Sequence, residues 1–251
     1  MLQDLRFTLR LIAKERWFSA AAIVALALGI GVNAIGFTIV NAAFLRGLPI
    51  KDADQFYMLT WQGRGGRRNA SHADLQDWRA QSRTFTGLAA FRNDRINLSD
   101  GRALPEQVRG TWLTANTFGL MGQQPLIGRD FAPGDDRQGA EPVVIVGYTL
   151  WKNRYAGDPD VLGTAVRLNG QPATIIGVMP DAMRFPDNTD VWAPFIPTDA
   201  QKARDARQLS VFGRLRDGIS RVEARTELNG IAQQLATAYP DTYKNIAGLA
   251  T

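Results

Sequence analysis

Apolar and polar positions divide this chain into two regimes. From Trp17 to Leu45 no residue is charged, and most positions are aliphatic, aromatic or alanine. At about 1.5 Å per residue a helix of that length reaches about 40 Å, enough to cross a hydrocarbon core of about 30 Å. The pattern predicts a transmembrane helix over 17–45, from about Phe18 to about Phe44. A cleaved secretory signal would have an apolar region of about 7–15 residues followed by a small-residue cleavage site. This run is longer, and its small residues recur throughout.

The segment before it has its own period. Leu2, Leu5, Leu9 and Ile12 recur at helical spacing among Asp4, Arg6, Arg10 and Lys14. That suits either an amphipathic helix on the cytoplasmic face, residues 1–16, or an extension of the membrane helix.

Within the apolar run the small and polar residues are ordered. Ala22, Ala25, Gly29, Asn33, Gly36, Val40 and Ala43 are spaced 3, 4, 4, 3, 4 and 3 apart, one stripe of a helix. Leu28, Ile30, Ile35 and Phe37 lie off it. Small residues let a second helix approach, and Asn33 can hydrogen-bond across the contact. An asparagine facing lipid would be an uncompensated cost. The stripe predicts helix packing through Ala22, Ala25, Gly29, Asn33 and Gly36, with other transmembrane helices of the same full-length protein or a homodimer as partners.

Beyond residue 45 the pattern is that of a mixed α+β domain, 46–251. Ser71 with Asp74 marks a helix start, with Leu75 and Trp78 on its apolar face. Two strands are expected around a turn at Ser99–Arg102. "TANTFGLMG" reads as a short helix ended by glycine, Val143–Val146 as a buried strand, and Thr149–Tyr155 as a helix. Asn169-Gly170 suits a two-residue hairpin turn, whose central residues need positive φ. Ser220 and Glu223 form a capping-box pair before a helix from about Arg221 to about Tyr239, with Ala224, Leu228, Ile231, Leu235 and Ala238 on one face and Pro240 as its stop. "GRGGRR", 63–68, reads as a flexible basic loop.

Charge orients the chain. Arg6, Arg10, Lys14 and Arg16 precede the span, so the positive-inside rule places the N-terminus in the cytoplasm and the main domain outside it. The net charge is +5, but after residue 50 the bases are scattered among acids, which argues against a nucleic-acid partner. No cysteine is present, so disulfides and thiolate chemistry are excluded, and one histidine excludes a multi-histidine zinc site.

No catalytic residue, metal site or cofactor site emerges. "GRGGR" lacks the phosphate-loop spacing, and no G-x-S-x-G elbow is present. His72 sits at a helix start. Asp135, Asp136, Asp158 and Asp160 lie in sequences with turn chemistry rather than ligand spacing. Trp112, Trp151 and Trp192 are expected in the core, with a ligand cleft lined by them as the alternative.

Six blocks in order then carry a resemblance: "LRFTLR", "LALGIGVNAIGFTIVNAAFLRGLP", "DLQDWRAQSRTFTGLAAF", "LMGQQPLIGRDF", "VVIVGYTLWKNRYAGDPDVLGTAVRLNGQPATIIGVMP" and "VFGRLRDGISRVEARTELNGIAQQL". Together they resemble the bacterial FtsX-like, MacB-type ABC-transporter permeases, in particular the large acidobacterial duplicated orphan permeases. The resemblance implies a permease subunit of the bacterial inner membrane that transmits conformational signals rather than forming a channel, and is no enzyme. Its N-terminal membrane helix would carry a periplasmic domain, and a separate cytoplasmic ABC ATPase would be its partner, with membrane lipid around the helix. In that family further membrane helices follow the periplasmic domain. The sequence stops at Thr251, so the expectation is a fragment of a longer permease, with the ATPase docked through the missing regions. The alternative is a membrane-anchored extracytoplasmic binding module that acts without an ATPase.

Overall fold

The computed structural model describes residues 52–63, 65–244 and 246–250, all within the unit Leu48–Thr251. The expected cytoplasmic segment, the membrane helix and its stripe of Ala22, Ala25, Gly29, Asn33 and Gly36 lie outside the described residues. Among the described residues no helix is long and apolar enough to cross a membrane.

The first polar-regime stretch becomes strand β1, Phe56–Gly63, with Phe56, Tyr57, Leu59 and Trp61 buried. It turns back at once into β2, Gly66–Arg68, pairing Gly63 with Gly66 and Trp61 with Arg68. The basic stretch expected to be a flexible loop is therefore largely a hairpin. Gly66 has φ 109, a conformation that costs glycine little.

Helix α1, His72–Gln81, starts where its cap predicts: the Ser71 hydroxyl accepts from Asp74 N, and Asp74 accepts in return from Ser71 N. Next come β3, Phe85–Ser99, and β4, Glu106–Leu113, paired from Phe91↔Leu113 to Leu98↔Glu106. The connection is longer than the expected Ser99–Arg102 turn, because pairing stops at Leu98↔Glu106 and Asp100 is drawn into the protein instead. Helix α2, Thr117–Met121, ends at Gly122 in the left-handed region, φ 67.

After the two-residue β5, Ile127–Gly128, comes the fully buried β6, Val143–Val146, followed by α3, Tyr148–Tyr155. Strands β7, Ala165–Leu168, and β8, Gln171–Val178, form the expected hairpin, with Asn169 at φ 51 and Gly170 at φ 84. The chain closes with β9, Val191–Pro194; α4, Asp199–Lys202; β10, Ser210–Leu215; α5, Arg221–Ala238; α6, Pro240–Tyr243; and β11, Ile246–Ala250. Pro240 does end α5, and it also opens α6, since a first-turn proline has no amide to lose. Ala238, expected on the buried face of α5, is exposed at its last turn.

Among the described residues the strands run in the order β11-β1-β10-β3-β4-β9-β6-β8-β5. The pairs β4–β9 and β6–β8 are parallel; the other neighbours are antiparallel. Strand β3 is long enough to serve two cores. Its first half sends Phe85, Leu88 and Ala90 into a cluster with Trp61, Leu75, Trp78, Val211 and the apolar face of α5. Its second half sends Ile96 and Leu98 into a cluster with Val144, Trp151, Ile175 and Val191. Leu228, Ile231 and Leu235 of α5 are buried, and at about 1.5–3 kcal/mol for each large aliphatic side chain they contribute about 5–9 kcal/mol before conformational entropy is subtracted. Phe91, Phe185 and Phe212 form a further aromatic cluster, with Phe91–Phe185 and Phe185–Phe212 ring centres 4.9 and 5.4 Å apart.

Candidate functional site

Three polar constellations stand out, two of them beside α1 and one at the β3–β4 hairpin. The first surrounds Asp74, which the sequence assigns to a cap and which is fully buried. One carboxylate oxygen accepts from Ser71 N at 2.8 Å, Trp61 Nε1 at 2.8 Å and Arg207 at 2.7 Å; the other accepts from the Tyr243 hydroxyl. Arg204 bonds Asp77 at 2.5 Å and stacks over the Tyr239 ring at 3.9 Å. Burial, reinforced by the bond to Asp74, pushes the Tyr243 hydroxyl up to about 12. Both Asp74 oxygens are committed to neighbours. The cluster is a structural node that ties α1, β1, the segment after α4, and α6 to one carboxylate.

The second constellation holds the β3–β4 hairpin. Arg154 of α3 makes a two-pronged pair with Asp100, both contacts at 2.9 Å, and their side chains are 5% and 0% exposed. The same guanidinium reaches Leu104 O at 3.2 Å and Glu106 at 3.4 Å. Asp100 also accepts from Arg102 N at 3.0 Å. The Arg154 hydrogen bonds hold the Asp100 carboxyl well below the usual carboxylate range. A planar fork on a carboxylate fixes orientation as well as distance, so the loop has one geometry.

The third is a groove of about 580 Å³ between α1, the free side of β3 at Thr86 and Gly87, α2, and the loop 130–137. Arg79 lines it and donates to Leu88 O at 3.1 and 2.9 Å and to Asn116 at 3.1 Å. Burial lowers the Arg79 pKa, with Asp136 opposing. Burial also raises Asp130 to about 6, partly offset by its bond from Phe131 N. Asp136 accepts from Ala115 N at 3.1 Å.

The residues singled out in sequence take structural places. His72 opens α1 and bonds Gln76 at 3.2 Å; burial, then Arg79 and Lys202, lower its pKa. Asp135 accepts from Ala132 N and Arg129, and Asp158 caps a short 3-10 turn through Asp160 N. Among the described residues no three histidine, cysteine, aspartate or glutamate side chains gather as metal ligands. Trp151 and Trp192 are buried; Trp112 is half-buried, its indole N–H on Asp94 at 3.3 Å. The groupings around Asp74 and Asp100 escaped the sequence reading beyond the cap itself, because their members lie up to 169 residues apart.

The family described as the MacB-like periplasmic core domain matches residues 19–231. No curated protein matches the chain. Among solved structures, a domain assigned to a permease protein from Porphyromonas gingivalis is similar at 14% identity and a TM-score of 0.62, covering 80% of this chain and 92% of that one. The periplasmic region of MacB from Actinobacillus actinomycetemcomitans is similar at 17% identity and a TM-score of 0.58, covering 79% and 88%. The extracellular domain of the noncanonic ABC-type transporter YknZ from Gram-positive bacteria is similar at 13% identity and a TM-score of 0.54, covering 74% and 95%. At these identities the likeness is one of fold.

Proposed function

Because this chain belongs to the MacB-like periplasmic core domain family, we propose that it is the N-terminal part of a bacterial ABC-transporter permease subunit, with its α/β domain on the extracytoplasmic side of the inner membrane. In this reading the domain contacts substrate or a partner protein, and a cytoplasmic ATPase drives it through the membrane helices. The uncharged run 17–45 is the first of those helices, and the stripe through Gly29 and Asn33 is its packing face.

The observation that carries the reading is the direction of the outer strands. The chain enters β1 at Phe56, and β11 runs back beside it, from Ile246 opposite Gly63 to Ala250 opposite Thr60. A continuation from β11 would run toward the end of the sheet at which β1 begins. The domain is thus built to be held from one end, with the buried Asp74 node joining α6, just before β11, to α1 and β1. A displacement of either end would then move the shared core as a body.

Protease added to intact spheroplasts tests the topology. Digestion of the domain with residues 1–16 protected is the expected result; protection of the domain refutes it. Co-purification in detergent tests the coupling. An ATPase retained by the native full-length permease and lost with Gly29→Leu or Asn33→Leu supports it. Retention in both variants would remove the stripe from assembly, and no ATPase at all would leave an anchored binding module.

A further inference from the structure

The groove between α1, β3, α2 and the loop 130–137 holds charges that the folded chain leaves without counter-charge. It is lined by two bases, Arg79 and Arg137, and two acids, Asp130 and Asp136. Arg79, Asp130 and Asp136 are half-buried, and among the described ion pairs none includes any of the four. The hydrogen bonds of the half-buried three are to neutral groups: Arg79 donates to Leu88 O and Asn116, Asp130 accepts from Phe131 N, and Asp136 accepts from Ala115 N. Desolvating a charge without a partner charge is unfavourable. The Arg79 bonds use Nε and Nη2 and the Asp136 bond uses Oδ2, so Arg79 Nη1 and Asp136 Oδ1 take part in no described hydrogen bond. Gly119 of α2 lines the same groove, and a Cβ there would meet nothing within 4 Å. Its backbone is helical, so no positive φ requires glycine, and inside a helix glycine is less stable than alanine. Neither packing nor backbone conformation accounts for the space left open at Gly119.

We infer that this groove is a binding site for a small zwitterion of the apolar α-amino-acid class, with its carboxylate on Arg79, its ammonium on Asp136 and Asp130, and its side chain against Leu120 and Phe131. Two bases and two acids favour neither an anion nor a cation alone, whereas a molecule carrying both charges satisfies each wall. The charges of that molecule must lie close together. Asp136 is near enough to oppose the burial that lowers the Arg79 pKa, yet the two do not meet as an ion pair. A gap of that kind suits an ammonium and a carboxylate on one carbon better than the distant ends of a long chain. The volume of about 580 Å³ falls within the range of small-molecule sites, about 300–1,000 Å³. The two walls are anchored separately. Leu75 and Trp78 fix α1 in the core with Leu88, while α2 and the loop are fixed through Phe118, whose ring centre lies 6.1 Å from Phe131 and 5.6 Å from Trp192. A bound zwitterion would tie these two anchorages together. The site lies wholly within the described domain, so it stands independently of the proposed topology and of the ATPase.

The test is calorimetric titration of the full chain in nanodiscs with L-phenylalanine and L-leucine as probes. Saturable binding of at least one is expected. The N-acetyl derivative of that probe lacks the ammonium and its amide lacks the carboxylate, and each should bind about tenfold or more weakly. Gly119→Leu fills the open space and should weaken binding by about tenfold or more, while the protein unfolds at the same or a higher temperature because leucine is the better helix former. Asp136→Asn keeps an acceptor for Ala115 N; it should weaken the parent amino acid about tenfold and leave the N-acetyl derivative within about twofold. Arg225→Gln, on α5 and outside the groove, should stay within about twofold of the native protein. No saturable binding of either probe at millimolar concentration overturns the proposal. So does equal affinity for the parent and both derivatives, or unchanged binding in Gly119→Leu. These readouts report on the groove, and protease digestion of spheroplasts reports on topology, so the two failures are separable.

Discussion

Replacing Asp74 by alanine removes one carboxylate and strands four donors. Ser71 N loses its cap, Trp61 Nε1 and the Tyr243 hydroxyl lose their acceptor, and Arg207, with a side chain 11% exposed, loses its counter-charge. Loss of a capping interaction alone costs about 1 kcal/mol. Leaving a buried charge without its partner costs about 3–5 kcal/mol, and because the groups share one network the two penalties do not add. An overall loss of about 3–5 kcal/mol corresponds to a fall of about 6–20 °C in midpoint for a domain of this size. Near-UV circular dichroism is a direct assay, because Trp61 packs on Trp78 with ring centres 5.3 Å apart and on Tyr243 at 5.0 Å. Asp74→Asn keeps an acceptor for Ser71 N but removes the charge, and should fall between the native protein and Asp74→Ala. A loss below about 1 kcal/mol for Asp74→Ala would refute the view that this carboxylate is a structural node.

Asp130 gives a pH prediction with a definite sign. Its folded-state pKa is raised to about 6 from 3.8, so between those values the folded state binds more protons than the unfolded state and stability falls as pH rises. Asp130→Asn should therefore stabilise the protein by about 1 kcal/mol at pH 7, after discounting for partial exposure, and by little at pH 4, as read from urea midpoints at the two pH values. A Cβ on Gly110 would sit 2.2 Å from Cδ1 of the buried Ile96, so Gly110→Ala should cost about 1–3 kcal/mol through overpacking, visible as an earlier thermal midpoint. Arg154→Met leaves Asp100 buried without its cation; amide exchange at Arg102 and Ala103 should accelerate, with a stability loss of about 3–5 kcal/mol.

Signals confined to a few consecutive residues were legible from the sequence: the Ser71 and Ser220 caps, the glycine that ends α2, the Asn169-Gly170 turn and the buried run Val143–Val146. Each depends on backbone conformation or burial pattern within one element, and each forms where it was expected. The ordered blocks also pointed to the family that matches residues 19–231. The packing stripe of the membrane run remains a reading of spacing, since it lies outside the described residues. Tertiary structure decided the rest. Strand β3 runs far beyond its apolar start because β10, β4 and β7 successively pair with it. Asp74 became more than a cap because Trp61, Arg207 and Tyr243, at sequence separations of 13, 133 and 169, converge on it. Arg95 faces Arg109 because the β3–β4 register sets them opposite each other. Register and long-range convergence follow from which apolar faces bury together, and a one-residue slip would exchange those faces, so no local window of the chain specifies them.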